Sequence, residues 1–426
     1  MVSGMQDHPV LGQVALGYSP MIDRQRAVVA TRLTIFPDPP SATPDAKALL
    51  AAIAEVWPAD QAENAPRLPA RPLDPTAVQQ RSAGAPPLVS LNLAGEALLR
   101  DVLAAGPGVH LMIEVPAFMA GDAAHAEALR ALHARGGVLL IKGRPLSPLP
   151  AEVLALFGHS IVEASEDRRG ATPPPAGVRT VTSVQAGIRN SADIEGAFQR
   201  GAVAALGWPW DEPISPPPGR AGVPTDVNVV LELINGVERE EPVARLEAVL
   251  RRDPTVAFRL LRYLNSAAFG PSAEVNSFGH ALMLLGHQRL KRWLALLLAS
   301  SAKGPSAKPA MHAAVRRGLL MEELVRGQDD SELRGEMFIC GVFSLLDRLL
   351  QQPFSELLPN VPVTERIRQA LQGAEGPFQP YLDLVRAIEQ ESVFDIREHS
   401  ERLLLGPAVV NRAVLAALQA ARQLDG

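Results

Sequence analysis

The chain changes character at one place. Residues 213–224 read PISPPPGRAGVP. Proline fixes φ and removes the backbone donor, so this stretch holds neither a helix nor a central strand and reads as a stiff interdomain linker. Before it, short β-prone runs take turns with helical ones. The β-prone runs are 13–18, VVATRLTIF (28–36), PLVSLNL (87–93), VHLMIEV (109–115), GGVLLI (136–141), HSIVEA (159–164), VRTVTSV (178–184) and 202–206. The helical segments between them are 45–56, 94–105, 122–135 and 190–204. Strand and helix in alternation imply βαβ units and a mostly parallel sheet, here a barrel-like α/β domain of roughly 200 residues. After the linker the pattern is almost purely helical, with periodic segments near 226–236, 243–251, 254–265, 278–285, 288–301, 310–326, 333–351, 363–372, 380–390 and 408–423. The expected organisation is an α/β barrel at 10–213, the linker at 214–224 and an all-α domain at 225–426.

Within the helical half, residues 253–286 carry clear start and stop signals. Asp253 followed by Pro254 reads as an N-cap with proline at the first helical position. Val256, Leu260, Leu261 and Leu264 recur along one face, and Asn265 and Ser266 end the run. Ser277 opens a second helix, and Gly286 stands where a left-handed glycine closes one. The apolar stripes Val227, Val230, Leu231, Ile234 and Trp293, Leu294, Leu297, Leu298 belong to the core of a helical bundle.

Composition narrows the function classes. The chain has 41 Lys and Arg against 46 Asp and Glu, a net charge of −5 with both signs scattered, so no basic field points to a nucleic acid. The pairs Arg251–Arg252 and Arg316–Arg317 and the cluster Arg289, Lys291, Arg292 read as solvated helix faces. The single cysteine, Cys340, has no partner for a disulfide or thiolate metal site and reads as a small core residue. Its longest strongly apolar stretch, 293–299, is far short of the ~20 residues a membrane helix needs, so the expected compartment is the cytoplasm. His280, His287 and His312 share no metal-ligand spacing and read as capping or surface residues.

The segment DPTVAFRLLRYLNSAAFGPSAEVNSFGHALMLLG, with Asp253, Pro254, Asn265, Ser266 and Gly286, resembles the signature of the HDOD family of all-helical bacterial signalling modules. That resemblance implies an HD-like helical bundle. FICGVFSLLDRLL is similar to the stretch that bears adjacent His and Asp metal ligands in the related HD phosphohydrolases. Ser344 and Leu345 stand there instead, with Asp347 two residues on, so the resemblance implies a lost metal site.

Upstream, VALGYSPMIDRQRAVVATRLTIF and GAVAALGWPWDEP resemble the first hairpin and the last strand of the EAL domain, a TIM-type barrel that hydrolyses cyclic di-GMP with two divalent ions. Such ions require oxygen ligands. Residue by residue, the resemblance places Arg32 at the motif glutamate, keeps Asn92 and Glu114, puts Lys142 and Gly143 at the paired aspartates, Gln185 at the late glutamate, and Leu206–Gly207 at the closing Gln-Gly. The Lys-x-Asp of the sixth strand has no counterpart in HSIVEA. The tripeptide Glu-Ala-Leu occurs at 96–98 and 127–129, but inside helical patterns, where neither carboxylate reaches the C-terminal end of a strand.

The order of the two resemblances implies a degenerate EAL-like barrel followed by an HDOD domain, neither of them an enzyme and neither with a cofactor. The expected function is a signal-transduction scaffold working through other signalling proteins in cyclic di-GMP circuits of motility and attachment, with no nucleic-acid or membrane partner, as a monomer or homo-oligomer. The alternative is a sensor that binds cyclic di-GMP or another nucleotide weakly, Arg32 and Lys142 standing in for the lost metals. Against it stands a pairing of one cation with Glu114 that plugs the barrel mouth.

Overall fold

The structure, a computed structural model, describes residues 7–59, 88–145, 148–166, 181–211, 214, 225–250, 252, 253, 256, 278–301 and 307–425. Pro254, Asn265, Ser266 and nearly all of the linker lie outside them. The chain divides into two compact units: Met1–Glu212 with Asp383–Gly426, and Pro213–Leu382.

Eight strands close a barrel in the order β1 to β8: Val14–Ile22, Val28–Pro37, Leu88–Leu93, Leu111–Pro116, Val138–Lys142, Phe157–Glu163, Thr182–Ile188 and Ala204–Gly207. β1 runs antiparallel to β2 and to β8, and the other neighbours are parallel. Four helices follow the expected pattern: α1 (Ala46–Val56), α2 (Glu96–Ala105), α3 (Ala123–Ala134) and α4 (Ser191–Gln199). Asp45, Asp122 and Asn190 cap α1, α3 and α4 through their side chains. Both Glu-Ala-Leu tripeptides lie in helices, in α2 and α3.

Side chains alternate across a strand, and strand register carries that alternation round the barrel. Met21, Ala30, Met112, Leu140, Ile161, Val184 and Leu206 form an apolar layer inside it. One step towards the C-terminal ends of the parallel strands, the same interior rows supply Ser19, Arg32, Ser90, Glu114 and Lys142. The interior is therefore dry below and polar at the mouth.

The helical unit comprises α5 (Thr225–Glu238), α6 (Val243–Leu250), α7 (Phe278–Ser300), α8 (Ala307–Leu324), α9 (Ser331–Phe343), α10 (Glu365–Gln372) and the start of α11 (Gln379–Glu389). Asp253 accepts the backbone N–H of Val256 at 3.2 Å, as a helix cap does. Gly286 breaks α7 at φ +65°, the left-handed geometry its position implies. The stripes of α5 and α7 are core, and so is Cys340. Two expectations fail in α8. This helix starts at Ala307, so His312 lies within its second turn, half-buried with both ring nitrogens out of solvent, and Arg316 and Arg317 are buried instead of solvated.

The C-terminal boundary also needs correction: the helical domain does not run to 426. Residues 383–426, ending in α12 (Val393–Arg402) and α13 (Pro407–Asp425), belong to the barrel unit. α13 packs on β1, on the turn Pro9–Gln13 and on α1, while α12 packs on β1. β1 is buried along its whole length because the barrel interior covers one face and these helices cover the other. Buried Asn411 on α13 donates to the carbonyls of Leu11 and Val14 at 2.8 and 2.6 Å and accepts the N–H of Leu16 at 3.0 Å. The helical unit is thus an insertion between β8 and the last helices of the barrel. A helix-period pattern reports that a segment is helical, and not which core receives its apolar face.

Among the described residues no single helix is long and apolar enough to cross a membrane.

Two outcomes are expected. A Cβ on Gly17 would lie 2.9 Å from Glu391 Cα and 3.0 Å from the carbonyl of Ile388, so Gly17→Ala should cost about 1–3 kcal/mol in urea unfolding followed by tryptophan fluorescence. Gly12→Ala, whose Cβ would meet only the Ala408 methyl at an ordinary 3.9 Å, should stay within about 0.5 kcal/mol. Burial lowers the pKa of His159 to about 4. Because the folded value lies below the unfolded one, stability should be full above about pH 6.5 and fall by up to about 3 kcal/mol as pH drops to 4. His159→Gln should flatten that slope.

Candidate functional site

The polar mouth of the barrel is the candidate site. Four residues picked out by the sequence, Arg32, Asn92, Glu114 and Lys142, meet there. Arg32 donates to Glu114 through Nε at 3.0 Å to one oxygen and through Nη2 at 2.8 Å to the other. This is the bidentate fork that a planar guanidinium makes with a carboxylate. Ser90 Oγ donates to Glu114 at 2.9 Å, Asn92 Nδ2 donates to Thr34 Oγ1 at 3.1 Å, and Lys142 Nζ donates to Asn92 Oδ1 at 2.7 Å. The Glu114 side chain is 0% exposed and that of Arg32 only 12%.

Gln185, the fifth, is elsewhere. Val184 faces the interior with Ile161, its partner in register, so Gln185 points outward, where Arg200 Nε donates to it at 3.2 Å. The interior place at this level falls to Ala186, which carries no ligand atom. A one-residue shift in reading a strand moves a side chain to the other face.

The residue that completes the mouth comes from 277 residues beyond Glu114, by the difference of their numbers. Glu391, just past α11, accepts from Ser19 Oγ at 2.6 Å and from Thr34 Oγ1 at 2.7 Å, and its carboxylate lies 3.6 Å from Arg32 Nη1. Glu391 has φ +56°, a left-handed geometry uncommon outside glycine, and its turn is seated over Gly17, the interior position of β1 that has no side chain to obstruct it. Trp208 fixes the end of α11 by donating from its indole to the carbonyl of Glu389 at 2.8 Å. Only the absence of a side chain at Gly17 and the WPW stretch at 208–210 hint at this in the sequence.

The electrostatics follow from the geometry. Burial opposes the charge on Arg32, but the Glu114 and Glu391 carboxylates outweigh it and hold the guanidinium pKa above its ordinary value. Lys142 goes the other way: burial lowers its pKa, Glu114 pulls it up, and the Arg32 charge pushes it down again. Two buried cations and two buried carboxylates therefore balance.

A pair of divalent ions, which the EAL resemblance implies, does not fit these residues. Among the described residues, Glu114 on β4 is engaged on both oxygens by Arg32, Lys142 donates to the oxygen of Asn92, and Glu163 at the end of β6 is exposed. Adding metal charge beside two ammonium-type cations would be repulsive. Among the described residues no group of three His, Cys, Asp or Glu side chains is arranged to hold a metal.

In the helical unit, Ser344 accepts from buried Arg317 at 3.0 Å and donates to the Gly341 carbonyl at 2.7 Å. Asp347 is half-buried beside Arg348 and accepts the backbone N–H of that residue at 2.7 Å. Among the described residues neither belongs to a cluster of metal-ligating side chains.

Residues 223–358 match the HDOD domain family. The protein YuxH of Bacillus subtilis is 32% identical over 165 residues, which are 38% of this chain and 40% of that protein. The cyclic di-GMP phosphodiesterase CdgJ of Vibrio cholerae is 26% identical over 172 residues, 40% of each. The match spans about two fifths of the length of these curated relatives. Similar solved structures include the PaMucR phosphodiesterase in complex with c-di-GMP (18% identity, 47% of this chain and 96% of that one, TM-score 0.27) and the EAL-like domain protein YdiV (12%, 47% and 94%, TM-score 0.30). A likeness this slight carries no argument, and the barrel rests on its own strand pairing.

Removing one member of a buried, doubly bonded ion pair strands the other. Glu114→Gln should cost about 3–5 kcal/mol in urea unfolding, and Arg32→Met with Glu114→Leu should recover more than half of that loss.

Proposed function

We propose that this chain, whose residues 223–358 form an HDOD domain, is a cytoplasmic signalling scaffold that hydrolyses nothing and works by binding other proteins. The observation that supports this reading most is the bidentate pairing of Arg32 with Glu114. Phosphodiester hydrolysis of the EAL type needs metal ions to activate water and to neutralise the phosphate. At this barrel mouth a guanidinium and an ammonium stand where such ions would sit, and the wall carboxylate is spent on the guanidinium. With the pocket filled from within, what the chain offers a circuit is surface, and an inserted helical module is a means of presenting it.

Relationship supports the choice of circuit. CdgJ is named a cyclic di-GMP phosphodiesterase, and we assign this chain to cyclic di-GMP signalling, such as that governing motility and attachment. A sensor is the second reading, favoured by the two cations at the mouth, Arg32 and Lys142, which match in number the two phosphodiester charges of cyclic di-GMP.

Three measurements separate these readings. Incubation with cyclic di-GMP in Mg²⁺ or Mn²⁺ should give no product; metal-dependent turnover lost on Glu114→Gln would overturn the scaffold. Calorimetry at about 50 μM protein should show no binding of cyclic di-GMP tighter than about millimolar. Heat that is abolished by Arg32→Ala would favour the sensor. Affinity capture with the full chain from a bacterial lysate should retain a defined partner protein.

A further inference from the structure

The carboxylate of Glu391 is held as a bound ligand would be. Two hydroxyls donate to its oxygens, from Ser19 at 2.6 Å and Thr34 at 2.7 Å, with the Arg32 guanidinium 3.6 Å away. Ser19 and Thr34 are themselves buried. These donors come from β1 and β2, whereas the acceptor arrives on a turn that is remote in sequence, on the part of the chain that re-enters the barrel unit at Asp383. The site belongs to the barrel, and its occupant belongs to the closing arm.

We propose that Ser19, Thr34 and Arg32 form an oxyanion-binding site, that Glu391 fills it in cis as a latch, and that a free phosphate-type anion competes with Glu391 for it.

Charge supplies the reason. With Glu391 in place, the buried charges at the mouth are Arg32 and Lys142 against Glu114 and Glu391. When Glu391 withdraws, Arg32 and the half-buried Lys142 face one buried carboxylate, and the exposed Glu163, whose attraction for both cations is the weakest of those acting on them, does little to restore the balance. An unbalanced buried cation is costly, so the open mouth recruits an anion. Backbone geometry supplies the means of release. Glu391 holds a left-handed φ of +56°, which a non-glycine residue adopts at a cost and which the three carboxylate contacts offset. Withdrawal involves only the turn around residues 388–392. α13 remains fixed by Asn411 to β1 and by Gln419, which donates to the Glu55 carbonyl at 2.9 Å. Since the chain leaving the helical unit passes directly into this turn, tension there would act on Glu391.

This inference rests on reading the barrel mouth as non-catalytic and filled from within, and the two fail separately: turnover of cyclic di-GMP would remove that reading without touching the latch. The test uses the full chain and inorganic phosphate. Glu391→Ala and the isosteric Glu391→Gln should each bind phosphate at least tenfold more tightly than the unaltered protein by calorimetry at constant ionic strength. Adding Arg32→Gln should abolish the gain. As a check that needs no variant, phosphate at saturating concentration should speed hydrogen exchange of amides 388–396 in the unaltered chain at least threefold over a chloride control of equal ionic strength, while 407–420 stays protected. Phosphate affinity unchanged in both Glu391 variants would overturn the latch. So would exchange of 388–396 that does not respond to phosphate, should the variants fail to fold.

Discussion

The barrel is organised around one buried guanidinium. Arg32 sits on an interior row of β2, two residues above an alanine that belongs to the dry layer of the core. No single partner satisfies a charge in that position. Glu114 takes two of its nitrogens, Glu391 approaches a third, and the neighbouring hydroxyls complete the carboxylates. A charge that is buried, paired and hydrogen-bonded fixes geometry more than it adds stability. Here it fixes three things: the register of β2 against β3 and β4, the seating of the turn after α11 over Gly17, and the exclusion of metal ions from the mouth.

The second of these reshapes the domain organisation. Because Glu391 reaches Ser19 and Thr34, and Asn411 reaches the backbone of β1, the mouth and the outer face of β1 are completed by residues that follow the helical unit in sequence. β1 is buried on both faces for the same reason: Gly17, Ser19 and Met21 face the interior, and Val14, Leu16 and Tyr18 lie on the opposite face, which the closing helices cover. Had the barrel ended at β8, that outer face would meet water. An apolar outer face on a barrel strand is a sign that another element covers it.

Much of this was legible in the sequence. Strand and helix alternation gave the barrel, since period-2 and period-3.6 patterns were long and well separated, and the cations at 32 and 142 stood out on strands where a metal site would require carboxylates. Asp253 and Gly286 behaved as their residue types require. Three things were hidden, each for a physical reason. Gln185 was misplaced because a strand beginning at Thr182 sets an inward row through Val184 and Ala186, and nothing in TSVQ reveals which face is inner. Arg316 and Arg317 carry charges that in the sequence point to solvent, because charge alone does not disclose a buried partner such as Ser344, which accepts from Arg317. Glu391 had no local signal, being an ordinary polar residue at the end of a helix; its role depends on contacts with strands that lie more than 350 residues earlier.

Losing a metal site and filling it are different events, and the distinction bears on how such a barrel comes to signal. Substituting the motif glutamate by a small residue would leave a cavity with Glu114 unpaired, a buried carboxylate without compensation. An arginine at that place cures the imbalance in one step, because its charge replaces the charge of the ions and its fork satisfies the carboxylate they would have held. That cure creates a new surplus as soon as Lys142 joins it, and Glu391 offsets the surplus with a carboxylate carried on the closing arm. The charged groups at the mouth thereby form an internal contact between the wall of the barrel and the segment that follows the inserted helical unit. A contact of that kind can transmit a state along the chain, which a merely vacant pocket cannot do.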